Sequence, residues 1–291
     1  MISNTDISNT IINTINIIFQ NLFSSIDSKL YEVLDDLVFI STDILKDKYF
    51  DNIFGTSTTS GILLISNSLL VGIVIYFSIK FLMSSFTNSK VETPIEFIFK
   101  LIIFGICMNC SYFILEQIIN LNYNISLAIR SIGEELFGKN ICFSNLIYNI
   151  NLNVVENNNF DVFTIDGIIT GTITMSLLNL VFSYSIRYVM IKIFVLLSPF
   201  AFLSLCLEST SWFFKSWSRN VFSLLFIQII ISVVLLIIFS MDYSSDNLLT
   251  KYIYMGSIYC LIKVNSIVKD FIGGVSTEFQ NNIQGLRIGK G

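Results

Sequence analysis

The chain has 291 residues, of which 53% are hydrophobic and only 13% charged, with a net charge of −4 and a mean hydropathy of +0.72. A soluble domain carries about twice that share of charge, so an ordinary water-soluble globule is excluded. The composition predicts an all-α, polytopic integral membrane protein. Histidine is absent, which removes His-based triads, imidazole proton relays and His metal sites.

Residues 1–58 read as an N-terminal amphipathic helical region outside the membrane. Ile7, Ile11, Ile15, Ile18 and Leu22 recur at helical spacing, continued by Ile26, Leu30, Leu34 and Leu37. The acidic residues Asp27, Glu32, Asp35, Asp36, Asp43, Asp47 and Asp51 interrupt every later window that could cross a bilayer. An acidic polar face favours packing on protein over attachment to anionic lipid. No cleavable leader is expected, since the first lysine is Lys29 and no short apolar core precedes a cleavage site.

Residues 59–120 are expected to hold a first transmembrane pair, Gly61–Ile79 and Leu101–Ile119, joined by a cytoplasmic loop with Lys90, Glu92, Pro94 and Glu96. Cys107 and Cys110 fall within the second span and read as small core residues rather than a redox or metal pair. Of the five cysteines only Cys142 lies in an expected aqueous loop, so no disulfide framework is implied. Residues 121–165 form that extracytoplasmic loop. Leu121, Ile125, Ala128, Ile129, Ile132 and Leu136 mark an amphipathic helix ending near Gly138, and Asn157-Asn158-Asn159 marks a turn.

Residues 166–270 are the expected C-terminal membrane core. Gly167 to Leu207 is interrupted only by Arg187 and Lys192, and Gly167 and Gly171 make a step suited to close helix approach. Ser185–Tyr188 offers no Gly or Pro for a turn. Gly167–Ile186 therefore spans, and the arm broken at Pro199 is re-entrant or interfacial. Phe213, Trp217 and Val221 then share one helical face, with Lys215 and Arg219 opposite. Trp212 and Trp217 beside those cations suggest a helix lying along the membrane–water interface. Asn220–Met241 is the strongest span, Tyr252–Val268 a weaker one, and 271–291 a cytoplasmic tail.

Five crossings place 11 of the 17 Lys and Arg inside with five acids, a net +6, and leave −10 outside, which together give the chain's −4. Six crossings, with the Pro199 arm spanning, keep only six basic residues inside. The positive-inside bias thus favours five crossings, with the N-terminus outside and the C-terminus cytoplasmic.

Pro199, Trp212, Lys215, Trp217, Arg219, Gly167 and Gly171 are candidate assembly residues. Asn109, Asn179 and Gln228 lie near span centres, where they either line a polar path or make interhelical hydrogen bonds. Lys192 is expected to snorkel to the inner surface. No phosphate-binding loop, paired carboxylates or metal-ligand spacing is visible, so neither an enzyme nor a cofactor is expected. Net negative charge argues against stable nucleic-acid binding.

The order of apolar arm, Ser198-Pro199, small and apolar residues, Glu208-Ser209-Thr210, Trp212-x-x-Lys215-x-Trp217 and an apolar span with embedded Gln228 resembles the TrbL family. These are polytopic inner-membrane channel components of VirB-type (type IV) secretion and conjugation machines. The likeness covers Asp166 to Gly274. It implies a structural component in a bacterial cytoplasmic membrane, assembled as a homo-oligomeric ring, pentameric by family resemblance. That ring would contact membrane lipid, a VirB-type secretion ATPase and bitopic channel subunits, with translocated DNA or protein only passing through. A small-molecule transporter or permease is the alternative, although no internal repeat between the halves supports it. The expected topology predicts that an impermeant thiol reagent applied outside labels Cys142 and a cysteine placed at Ser244. It should not label one at Gln284, and labelling there in intact cells would contradict a cytoplasmic tail.

Overall fold

A computed structural model describes residues 10–11, 13–18, 30–55, 61–87, 92–147, 165–241 and 248–273. The regular elements among them are all helical. Residues 10–11 and 13–18 are helical, and after them come α1 (Leu30–Val38), a 3-10 turn (Thr42–Leu45), α2 (Lys48–Phe54), α3 (Ile62–Thr87), α4 (Pro94–Asn109) and α5 (Ser111–Phe137). After a short helical turn at 143–147 come α6 (Ile165–Leu196), α7 (Ser198–Leu203), two 3-10 turns (Ser204–Cys206 and Glu208–Thr210), α8 (Ser211–Ser240) and α9 (Leu248–Ile272). The expected Asn157–Asn159 turn, the acidic turn at 242–247 and the tail beyond 273 lie outside the described residues.

Among the described residues three stretches are long and apolar enough to cross a membrane, Ile62–Phe86, Gly167–Leu196 and Glu208–Ser240, and the bent pair α4 and α5 makes a fourth if it counts as one. The expected span Tyr252–Val268 is not among them. It lies within α9, where Lys251, Lys263 and Lys269 dilute the apolar run. The stretch read as a surface helix followed by a span is instead one 30-residue helix, α8, about 45 Å long. Nothing in Ser218–Asn220 breaks the backbone, so the amphipathic turns and the apolar turns share one axis.

The expected second span is also corrected. Leu101–Ile119 is not straight, because α4 and α5 meet at 60° at Cys110, and the amphipathic helix placed after Leu121 continues α5 without interruption. Neighbouring residues at this corner are anchored to different partners. The Asn109 amide is paired with Asn67 on α3, whereas the Tyr112 hydroxyl reaches the Leu45 carbonyl and the Asp51 carboxylate at 3.0 and 2.9 Å. Cys110 is exposed at the corner rather than buried in a core. The end of α5 is as the sequence suggests: Gly138 closes it at φ 63°, a left-handed cap open to glycine at no steric cost.

The core lies between α5, α6, α8 and α9, with residues 34–54 packed against it. Helix α5 runs parallel to α8, since Ser126 meets Ser232 at 2.6 Å and further along Gly133 lies under Leu236. A Cβ at Gly133 would come within 2.7 Å of both Ile141 and Leu236, so this glycine permits the close crossing. At Gly171, where a close approach was expected, a Cβ would meet nothing within 4 Å. Helices α6 and α9 both run antiparallel to α8: Phe194 bonds Trp217 and Arg187 bonds Leu224, while Arg219 lies against Gly273.

The N-terminal segment is pinned at several points along this bundle. Asp35 accepts hydrogen bonds from the Phe143 and Ser144 backbone N–H groups and the Ser144 hydroxyl, at 2.8, 3.2 and 2.8 Å. The Arg130 guanidinium lies 4.1 Å over the Phe39 ring. Asp47 lies 3.8 Å from Lys192, which also faces the Phe50 and Tyr188 rings. The charge split puts Asp47 outside and Lys192 inside, whereas the fold sets the two side chains 3.8 Å apart. Side-by-side packing, invisible to a count of charges along the chain, brings residues 47–51 to the C-terminal end of α6. Burial also raises the Cys142 thiol above its usual pKa, so its labelling is slow even from the accessible side. Single cysteines at exposed Tyr49 and exposed Lys215 should therefore label from the same side of the membrane. Opposite sidedness would restore the charge-based assignment.

Candidate functional site

Two features stand out where the sequence candidates cluster. The first is the turn between α6 and α8. Pro199 has no N–H and cannot bond the Val195 carbonyl four residues back. The Ser198 hydroxyl, itself buried, donates to that carbonyl at 2.7 Å. One residue earlier, the Phe194 carbonyl accepts the Trp217 indole N–H at 2.8 Å, so the α6 terminus is satisfied from the facing helix. Thr210 closes the far side of the turn, donating at 2.7 Å to the Ser204 carbonyl, with the Leu207 carbonyl at 3.2 Å.

Between these ends the apolar face of α7 becomes a hub that touches α3, α4, α5, α6 and α8. Pro199, Ala201 and Leu203 are buried, and Leu203 and Cys206 form a small second core with Met108 of α4. The Pro199 arm therefore holds the α3–α4 hairpin to the main bundle. Glu208 adds a loose contact, 3.9 Å from Lys100, whose closer partner is Glu92 at 2.8 Å.

The two tryptophans have different roles. Trp217 is buried, with Phe202 and Phe214 against its ring, and is a structural tether rather than an interfacial anchor. Trp212 is 66% exposed beside exposed Lys215 and makes no comparable buried contact. Phe213 and Val221 share the inward face with Trp217, as their spacing indicates, and Arg219 is exposed, folded across Gly273 at the end of α9.

The second feature is a polar layer within the bundle. Arg187 is completely buried. Its Nε donates to the Leu224 carbonyl at 2.7 Å, Nη1 to the Val38 carbonyl at 2.9 Å, and Nη2 to the Gln228 Oε1 at 3.4 Å. Val38 ends α1, so the guanidinium also sits at a favourable helix C-terminus. The sequence shows Arg187 only as an interruption of the apolar run from Gly167 to Leu207, and this role was missed. An arginine flanked on both sides by apolar spans was the available signal.

Gln228, one of the three polar residues expected either to line a path or to bond between helices, belongs to this layer. Asn179 lies about two turns before Arg187 on α6, and its buried Oδ1 has no hydrogen-bond partner. Asn109 does not belong. It forms a reciprocal amide pair with Asn67 at 3.2 and 3.3 Å, and the remaining donors bond the Leu63 and Gly105 carbonyls. Such a pair is closed on itself and clamps α3 to α4, as does the Phe77–Phe97 stack with ring centroids 3.6 Å apart.

Comparison with protein families, curated proteins and solved structures finds no match for this chain. The functional reading rests on the residues themselves.

Trp217→Ala should lower stability by about 3–5 kcal/mol, through lost ring packing and an orphaned carbonyl, and reduce membrane abundance. Trp212→Ala should change stability by less than about 0.5 kcal/mol. Thermal unfolding of the two variants in detergent, with blots of membrane fractions, checks the contrast.

Proposed function

We propose that the protein is a structural channel or platform component of a type IV secretion or conjugative transfer machine, similar to the TrbL family. The observation that carries this reading is the behaviour of the stretch on which the resemblance rests. Ser198, Pro199, Thr210 and Trp217 act together to build the turn that joins the α3–α4 hairpin to the bundle. That motif has a structural task in this chain, and its exposed edge, Trp212 and Lys215, is left for assembly.

The protein would reside in a bacterial cytoplasmic membrane with its tail in the cytoplasm, in a homo-oligomeric ring. The apolar outer surface of α3 meets lipid or neighbouring subunits, since only 11% of its most apolar stretch is buried within the chain. A VirB-type ATPase and bitopic channel subunits are the proposed partners, and DNA or protein substrate passes without stable binding.

The exposed edge provides the test. In cells whose transfer depends on this chain, Trp212→Ala with Lys215→Glu should preserve membrane abundance. Transfer should fall roughly tenfold or more, as expected for losing about 1.4 kcal/mol or more at an interfacial aromatic. Purification from the wild type in mild detergent should bring down a secretion ATPase, and the double variant should lose it. Full transfer by the double variant at wild-type abundance, or a wild-type protein that purifies alone and binds a small solute, would favour the permease alternative.

A further inference from the structure

The polar layer around Arg187 is rich in donors and poor in acceptors. Arginine has five N–H donors, and three here are used on two backbone carbonyls and one amide oxygen, none of them charged. A buried cation whose partners are all neutral is costly in a low-dielectric interior. The Nε2 of Gln228 has no hydrogen-bond partner, although the residue is completely buried.

A third donor belongs to the same level. Ser126 and Ser232 touch on the parallel helices α5 and α8, so one turn back on each places Asn122 beside Gln228. Asn122 is only 7% exposed, and its Nδ2 is likewise without a partner. Two free guanidinium donors and two free side-chain amides thus occupy one slab of the core, next to an uncompensated positive charge.

We propose that Arg187, Gln228 and Asn122 form a buried site for a small inorganic anion of chloride size. An anion there neutralises the guanidinium and accepts from amide donors that otherwise stay unpaired. Because Arg187 also holds the Val38 carbonyl, occupancy strengthens the attachment of residues 30–55 to the bundle. The site is independent of whether the protein serves in secretion.

The test uses the full chain in detergent, at constant pH and ionic strength, with chloride exchanged for gluconate. The wild-type Tm, followed by tryptophan fluorescence, should rise by about 5–10 °C between chloride-free buffer and chloride at roughly 100 times its Kd. Asn122→Leu leaves all three Arg187 contacts in place and should weaken apparent chloride affinity about tenfold, with Gln228→Leu at least as severe. Arg187→Gln should abolish the shift. If that variant does not fold, the Asn122 and Gln228 variants decide the matter. Equal wild-type Tm in chloride and gluconate, or an undiminished shift in either leucine variant, overturns the site.

Discussion

Backbone hydrogen bonding at the α6 terminus is the constraint on which the rest of the structure depends. In an apolar protein a helix cannot simply stop, because each freed carbonyl left without water or a partner is costly. Pro199 forces such a stop, and the chain answers with the Ser198 hydroxyl and the Trp217 indole. The indole bond reaches across 23 residues and so fixes where α8 starts relative to where α6 ends. With those two helices set antiparallel, α7 is held in the position from which it meets the hairpin and the bundle at once.

The same economy of polar groups governs the interior. Buried polar side chains close on one another where they can, as in the Asn67–Asn109 pair and the Ser126–Ser232 contact. Arg187 is different in kind. It joins three parts of the chain, α6 by its own backbone, α8 through Leu224 and Gln228, and α1 through Val38. Its charge has no carboxylate among its hydrogen-bond partners, whereas Lys192, one turn and a residue further on, reaches Asp47 near the bundle edge. Depth separates their chemistry, so two cations five residues apart have different partners.

The N-terminal segment shows how an amphipathic, acidic sequence can become part of a membrane protein's own core. Leu34, Val38, Ile44, Leu45 and Phe54 are buried against the bundle. Asp35 and Asp51 spend their oxygens on backbone N–H groups and hydroxyls rather than on solvent. The acidic face that argued against lipid attachment is thus partly consumed in holding the segment to the protein.

Much was legible in the chain alone. Low charge and long apolar runs pointed to helices long and apolar enough to cross a membrane, and such helices are present among the described residues, because a helix satisfies its own backbone within such runs. Local chemistry also marked the break at Pro199, the left-handed cap at Gly138 and the opposed faces of Trp217 and Lys215. Each depends on residues within a turn or two of one another. Tertiary structure decided the rest. The corner at Cys110 arises from pulls by Asn67 and Asp51, both distant in sequence. The burial of Trp217 depends on a carbonyl in α6, and that of Arg187 on a helix end about 150 residues earlier. Hydropathy and charge counts treat each segment as if it met only lipid or water, and these side chains met protein.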